Sequence, residues 1–192
     1  MNRFKLTIEY NGSDYYGWQM QESATSIQAE LEKAAFKFCQ TECRFHAAGR
    51  TDARVHAKGM VAHVDIPRDI EAFKVMEALN YHLNDVPISI LKSEKVDDEF
   101  HARFSAKKRY YRYHIINRRA KLSLQRGFAW QVKEALDVNA MQEAAQVLVG
   151  KHDFTTFRSV QCQSKSPLKT SESLTVTRDN ENVYIDTSAI SY

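Results

Sequence analysis

The order in which hydrophobic periods follow one another constrains this chain more than any other feature. Arg3 to Tyr10 alternates, with Phe4, Leu6, Ile8 and Tyr10 on one face and Arg3, Lys5, Thr7 and Glu9 on the other, the pattern of a half-buried strand. A helical period then opens at Thr25, with Gln28 three residues on as a capping box. Ile27, Leu31, Ala34, Ala35 and Phe38 share its apolar face. Short strands are predicted over 44–48 and 60–66. A second helix is predicted from Pro67 and Asp69, with Phe73, Met76 and Leu79 on one side, and a strand over 88–96. The order β-α-β-β-α-β is that of a ferredoxin-like unit. It predicts an α+β fold with a first domain over 1–100.

Residues 101–192 form the second predicted domain. It opens with a strand over 107–117, and a basic connection leads into a short strand near Trp130. A helix follows over 137–148, with Met141, Ala144, Ala145 and Leu148 on one face. Leu148 to Pro167 reads as loop. Thr170–Arg178 and Asn182–Ser188 read as a hairpin turning at Asp179-Asn180-Glu181. The last residues are an uncharged, strand-like run, which is unusual for a domain end and suggests a truncated chain.

Net charge is only +3, but it is segregated. Residues 1–100 hold 12 Lys+Arg against 16 Asp+Glu, residues 101–131 hold nine cations and no acid, and residues 132–192 hold six against eight. Solvated cationic faces normally intersperse acids, so the acid-free block points to a polyanion, and nucleic acid is favoured. The N-terminus has no apolar segment of signal-peptide type, and no apolar run is long enough to span a membrane. Cys39, Cys43 and Cys162 suit free thiols in a reducing, cytoplasmic setting. No Cys/His cluster has zinc spacing, so no metal is expected. The seven histidines pair with no Ser or Cys in a nucleophile motif, which argues against a Ser/His/Asp hydrolase, and Walker and GxGxxG patterns are absent.

One carboxylate stands apart. In HAAGRTDARVHAKG (His46–Gly59), Asp52 lies between Arg50 and Arg54. If that stretch is extended, all three side chains point the same way. A loop Asp is usually a turn former or cap. An anion kept ionised by flanking cations at a nucleic-acid surface repels phosphate, and chemistry is one reason to tolerate that. KKRYYRYHIINRR (Lys107–Arg119) interleaves tyrosines with Lys107, Lys108, Arg109, Arg112, Arg118 and Arg119. That composition suits RNA, where rings stack on bases and cations meet phosphates. Tyr113 fits a core position better, while Tyr110 and Tyr111 suit either role.

These stretches carry a family resemblance. AAGRTDARVHA closely resembles the GRTDAGVHA signature of the TruA-type tRNA pseudouridine synthases. YNGSDYYGWQMQ, ALNYHLNDVPISI, FHARFSAKKRYYRY and LVGKHDFTTFRSVQCQSKSP resemble further segments of that family, in register along the chain. The resemblance implies isomerisation of uridine to pseudouridine at positions 38 to 40 of the anticodon stem-loop of tRNA, with no cofactor. It makes Asp52 the nucleophile, Tyr111 the ring that stacks on the target base, and Arg50 the residue that helps flip the nucleotide out. Arg54 and the cations of 107–119 would bind RNA. The implied fold has two ferredoxin-like, RRM-like halves sharing an extended antiparallel sheet with a central basic cleft. The implied assembly is a homodimer.

The sequence departs from the pattern twice. Arg54 stands where the signature has Gly, a strained choice if the position needs positive φ and an added cation if it does not. The family also continues beyond the strand near Tyr192 into a segment with another basic active-site residue. Two competing readings are a catalytically silent RNA-binding module on the same scaffold and a generic ferredoxin-like regulatory domain.

Overall fold

The computed structural model describes residues 1–157 and 166–189. Cys162, much of the Leu148–Pro167 stretch and the chain end at Tyr192 lie outside the described residues. The chain divides into two compact units, Met1–Ala106 and Lys107–Tyr192. Among the described residues, no helix is long and apolar enough to cross a membrane.

The first unit contains β1 (Asn2–Tyr10), α1 (Ile27–Cys39), β2 (His46–Ala47), β3 (Ala57–Ile66), α2 (Ala72–His82) and β4 (Ile88–Val96). Its sheet runs β2-β3-β1-β4 and is antiparallel throughout. The alternating residues Phe4, Leu6, Ile8 and Tyr10 are buried as their period requires. They pack with Val64, Ile66 and Ile90 against Ile27, Leu31 and Ala35 of α1 and Val75 and Leu79 of α2. Burying each large aliphatic side chain contributes roughly 1.5–3 kcal/mol, which is why the two periods dictate this layer arrangement.

The helix starts differ from expectation. Ser26, not Thr25, caps α1, its hydroxyl accepting from the Ala29 N–H at 3.2 Å. Gln28 therefore forms no capping box and turns inward. It donates to Glu32 (2.8 Å) and the Phe45 carbonyl (3.3 Å) and accepts from the Met20 N–H (3.2 Å). α2 begins at Ala72 rather than Pro67, because Asn2 ties down the Arg68 carbonyl at 2.7 Å and Glu71 takes the cap position. The i, i+4 pair Val75 and Leu79 then faces the core, and Phe73, two residues off that stripe, is 58% exposed. Cys39 and Cys43 are buried free thiols 3.5 Å apart.

His63 of β3 sits opposite His46 of β2 and is only 2% exposed. It stacks on His46 (4.9 Å between centroids) and meets His101 edge-on (4.7 Å), and its Nδ1 accepts from the Ala102 N–H at 3.2 Å. Burial first, and then the neighbouring His46 and His101 and the nearby Arg3, push its pKa down to about 4, with Asp65 opposing. Arg3 itself is held by Asp65 at 2.8 Å. The neutral ring is favoured in the fold, so its contribution is complete above the unfolded value near 6.5 and is lost as pH falls from there to about 4. Urea titrations should show stability falling by roughly 3 kcal/mol between pH 7 and pH 4. His63→Phe should flatten that slope, and an equally steep loss in the variant would remove His63 as its source.

The second unit contains β5 (Arg109–Asn117), β6 (Trp130–Val132), α3 (Val138–Gln146), β7 (Gly150–Asp153), β8 (Leu168–Asp179) and β9 (Asn182–Ala189). Its sheet runs β6-β5-β9-β8-β7, and β6 pairs parallel with β5, so this sheet is mixed. Among the described residues, strand pairing gives one sheet within each unit, and this mixed content is consistent with the α+β fold that the resemblance implies. Asp137 caps α3 by accepting from the Asn139 and Ala140 N–H groups at 3.0 and 3.1 Å. Of the four residues predicted to face the core from this helix, only Ala145 is buried, and Met141 is half-buried against the same cluster. Ala144 is exposed, and Leu148 lies past the helix end at 41% exposure. β7 falls where loop is expected. Gly-Lys-His-Asp has no apolar alternation to announce a strand, and it forms because β8 offers it an edge at Leu168–Ser171.

Candidate active site

The loop between β2 and β3 spans residues 48–56 and is locked from below. The Thr51 carbonyl accepts from the Trp18 N–H at 3.0 Å, and the Arg54 N–H donates to the Tyr15 carbonyl at 3.1 Å. The Gly12 N–H donates to His56 Nδ1 at 3.1 Å. The Tyr10 and Thr51 hydroxyls are 2.8 Å apart. The loop after β1 must therefore pass very close to this one. A Cβ on Gly12 would lie 2.1 Å from the Val55 carbonyl oxygen, and one on Gly17, whose φ is +94°, would lie 2.4 Å from that of Thr51. Glycine is required at both positions by contact and at Gly17 also by backbone.

Asp52 rides on top of this clamp. It is exposed, so it is not a buried structural acid, and among the described residues its carboxylate joins no ion pair. The extended geometry that would align Arg50, Asp52 and Arg54 does not occur. The Val55 N–H turns back to the Asp52 carbonyl at 3.3 Å, and Arg54 has φ +67°. The position is left-handed, which is where a glycine rests without strain and an arginine does not. Arg54→Gly should raise stability by about 1 kcal/mol, seen as a melting temperature a few degrees higher. An unchanged or lower melting temperature would mean that the arginine side chain offsets its own backbone strain.

Tyr111 belongs to the second unit. It sits on β5 opposite Thr187 and is 37% exposed. Tyr113, expected in the core, is 55% exposed and meets Trp130 edge-on at 6.3 Å. The core position on that face is taken two residues on by Ile115. The cationic block is also less bare than its sequence. Lys108 pairs with Glu172 (2.6 Å), Arg118 with Glu181 (2.8 Å), and Arg112 grips Asp186 through two bonds of 2.7 and 2.9 Å while lying over the Tyr184 ring. These acids come from β8, β9 and their turn, which local charge counting cannot place beside β5. Lys107 and Arg119 are exposed, and Arg109 is half-buried.

Comparison with known proteins places the whole chain. The family described as tRNA pseudouridine synthase matches residues 6–105 and 144–192. The chain belongs to the tRNA pseudouridine synthase family. It is 54% identical over all 192 residues to tRNA pseudouridine synthase A of Rhodopseudomonas palustris strain HaA2, covering 78% of that protein. Identity is 52% over 192 residues to the protein of that name in Paramagnetospirillum magneticum, covering 75% of it. It is 49% over 191 residues to that of Wolbachia pipientis wMel, covering 78%. Residue types alone did not single out the supporting shell, Tyr10, Thr51, Trp18, Gly12 and Gly17. The one local signal was a pair of glycines in an aromatic-rich loop.

Proposed function

We propose that this synthase isomerises uridines 38 to 40 in the anticodon stem-loop of tRNA, with Asp52 as nucleophile. The observation that carries this is an exposed carboxylate on a backbone held at Thr51 and Arg54 by hydrogen bonds to the preceding loop. The N1–C1′ bond breaks, the uracil turns, and a C5–C1′ bond forms. C5 loses a proton and N1 gains one, so the product is an isomer and no oxidant, reductant or cofactor is consumed. The carboxylate can serve by adding to the ring, by attacking C1′ or by assisting elimination to a glycal. Each route needs the base out of its stack, at a cost of a few kcal/mol. Tyr111 receives the flipped base, Arg50 helps to extrude it, and the tRNA backbone is held by Arg54 and the cations of 107–119. The protein works in the cytoplasm as a homodimer, as the family resemblance implies.

The test uses unmodified tRNA transcripts that keep a single uridine at 38, 39 or 40, with pseudouridine located by carbodiimide-blocked primer extension. Product at these positions and at no other supports the reading. Product confined to another arm of the tRNA overturns the specificity, and none with any transcript overturns the activity. Binding of the same transcripts should weaken steeply with salt. Lys107→Gln and Arg119→Gln should each reduce the log–log slope by about one phosphate contact. A slope that neither changes would remove both residues from the RNA contact.

A further inference from the structure

We propose that the Tyr10–Thr51 hydroxyl pair is a positioning device that sets the height and orientation of Asp52, an inference that rests on Asp52 being the nucleophile. Thr51 immediately precedes Asp52 and is 9% exposed, and Tyr10 is 2% exposed. Their hydroxyls meet at 2.8 Å inside the unit. Tyr10 is the last residue of β1. It pairs with Ala57, the first residue of β3, and with Ile88, the first of β4, just after a register shift in the β1–β3 ladder. A bulge re-aims the side chain that follows it, and here that side chain reaches under the loop joining β2 to β3. The Tyr10 ring also lies 6.2 Å from that of Trp18, whose N–H holds the Thr51 carbonyl.

Thr51 is thus gripped at both polar ends. Its carbonyl is fixed by the loop after β1 and its hydroxyl by the sheet. The peptide that continues into Asp52 is left with little freedom. The Asp52 side chain makes no ion pair of its own among the described residues, so its direction is set by that peptide. A displacement of about 1 Å at a reacting group costs up to 100-fold in rate, so a hydroxyl pair that never touches the substrate can still govern the chemical step. Both side chains are buried, which predicts an effect on kcat and none on KM.

Thr51→Val and Thr51→Ser separate positioning from packing. Valine keeps the shape and loses the hydroxyl, and serine keeps the hydroxyl and loses a methyl. Positioning predicts that Val lowers kcat roughly 10- to 100-fold at unchanged KM for tRNA while Ser retains most of the rate. Packing predicts the reverse order and would overturn the proposal. Tyr10→Phe should reproduce the Val result. The Tyr10→Phe/Thr51→Val double variant should be no slower than either single one, because they act as one unit. Multiplicative losses would overturn the pairing. Asp52→Asn is run beside them. If it forms product, the nucleophile assignment itself fails. If it forms none and Thr51→Val turns over like the parent, only the positioning role fails.

Discussion

Asp52→Asn is expected to fold and bind tRNA as the parent does and to form pseudouridine at least about 10⁴-fold more slowly. Asparagine matches aspartate in shape. The side chain is exposed and joins no ion pair among the described residues, so its replacement should change stability by less than about 0.5 kcal/mol. Binding should hold or tighten slightly, since an anion next to phosphates is removed. The rate is different in kind. An amide is too weak a nucleophile, and too weak a base, to replace the carboxylate by any of the three routes, and without the covalent or elimination step the glycosidic bond stays closed. The measurement is single-turnover product formation with enzyme in excess, beside a filter-binding isotherm and a melting curve. A variant that keeps more than a tenth of the parental rate would show that the carboxylate is not the nucleophile. Loss of binding together with product would place Asp52 in recognition rather than chemistry.

Much of this site was legible in the sequence, for identifiable reasons. β1 was written in strict alternation from Phe4 to Tyr10, and burial follows that alternation residue by residue. α1 kept a helical period, and only its cap was misplaced by one residue, because Thr25 and Ser26 are both good cap residues and tertiary contacts chose between them. The loop carrying Asp52 stands out by its motif. Its conformation does not, because two-residue spacing reads as alternation only if the backbone is extended, and the hydrogen bond from Arg54 to Tyr15 imposes a turn instead. What local patterns could not show was long-range pairing. The acids that meet Lys108, Arg112 and Arg118 lie 60 or more residues away in sequence. Residue type suggests a core place for Tyr113, but the decision belongs to which residue of β5 reaches the cluster of Ala145, Val176 and Val183, and that residue is Ile115. β7 likewise depends wholly on the edge that β8 offers.

The same long-range logic makes Gly17→Ala a strongly damaging substitution in the first unit. Alanine at φ +94° costs about 1–2 kcal/mol before any contact is counted. Its Cβ would then stand 2.4 Å from the Thr51 oxygen and 3.1 Å from the Asp52 carbonyl carbon. Neither is the far end of a flexible chain. The Thr51 carbonyl is held by Trp18, and the Gly17 carbonyl itself accepts from the Ile27 N–H at the start of α1, so the glycine cannot retreat without loosening that helix. The loops must part. We expect a loss of about 3 kcal/mol or more, a melting temperature lower by roughly 10 °C, and a drop in kcat larger than the unfolded fraction explains, because the peptide that moves is the one carrying Asp52. Gly59→Ala is the control from the same unit. Its nearest neighbour is a methyl of Thr7 at 3.6 Å, ordinary contact, and the residue lies within β3, where alanine is the better strand residue. It should melt at or above the parental temperature and turn over normally. If Gly17→Ala behaves like Gly59→Ala, the two loops are not clamped as their hydrogen bonds indicate. If Gly17→Ala is stable but slow, backbone strain is being absorbed at Asp52 itself, and the clamp exists to place that residue rather than to hold the unit together.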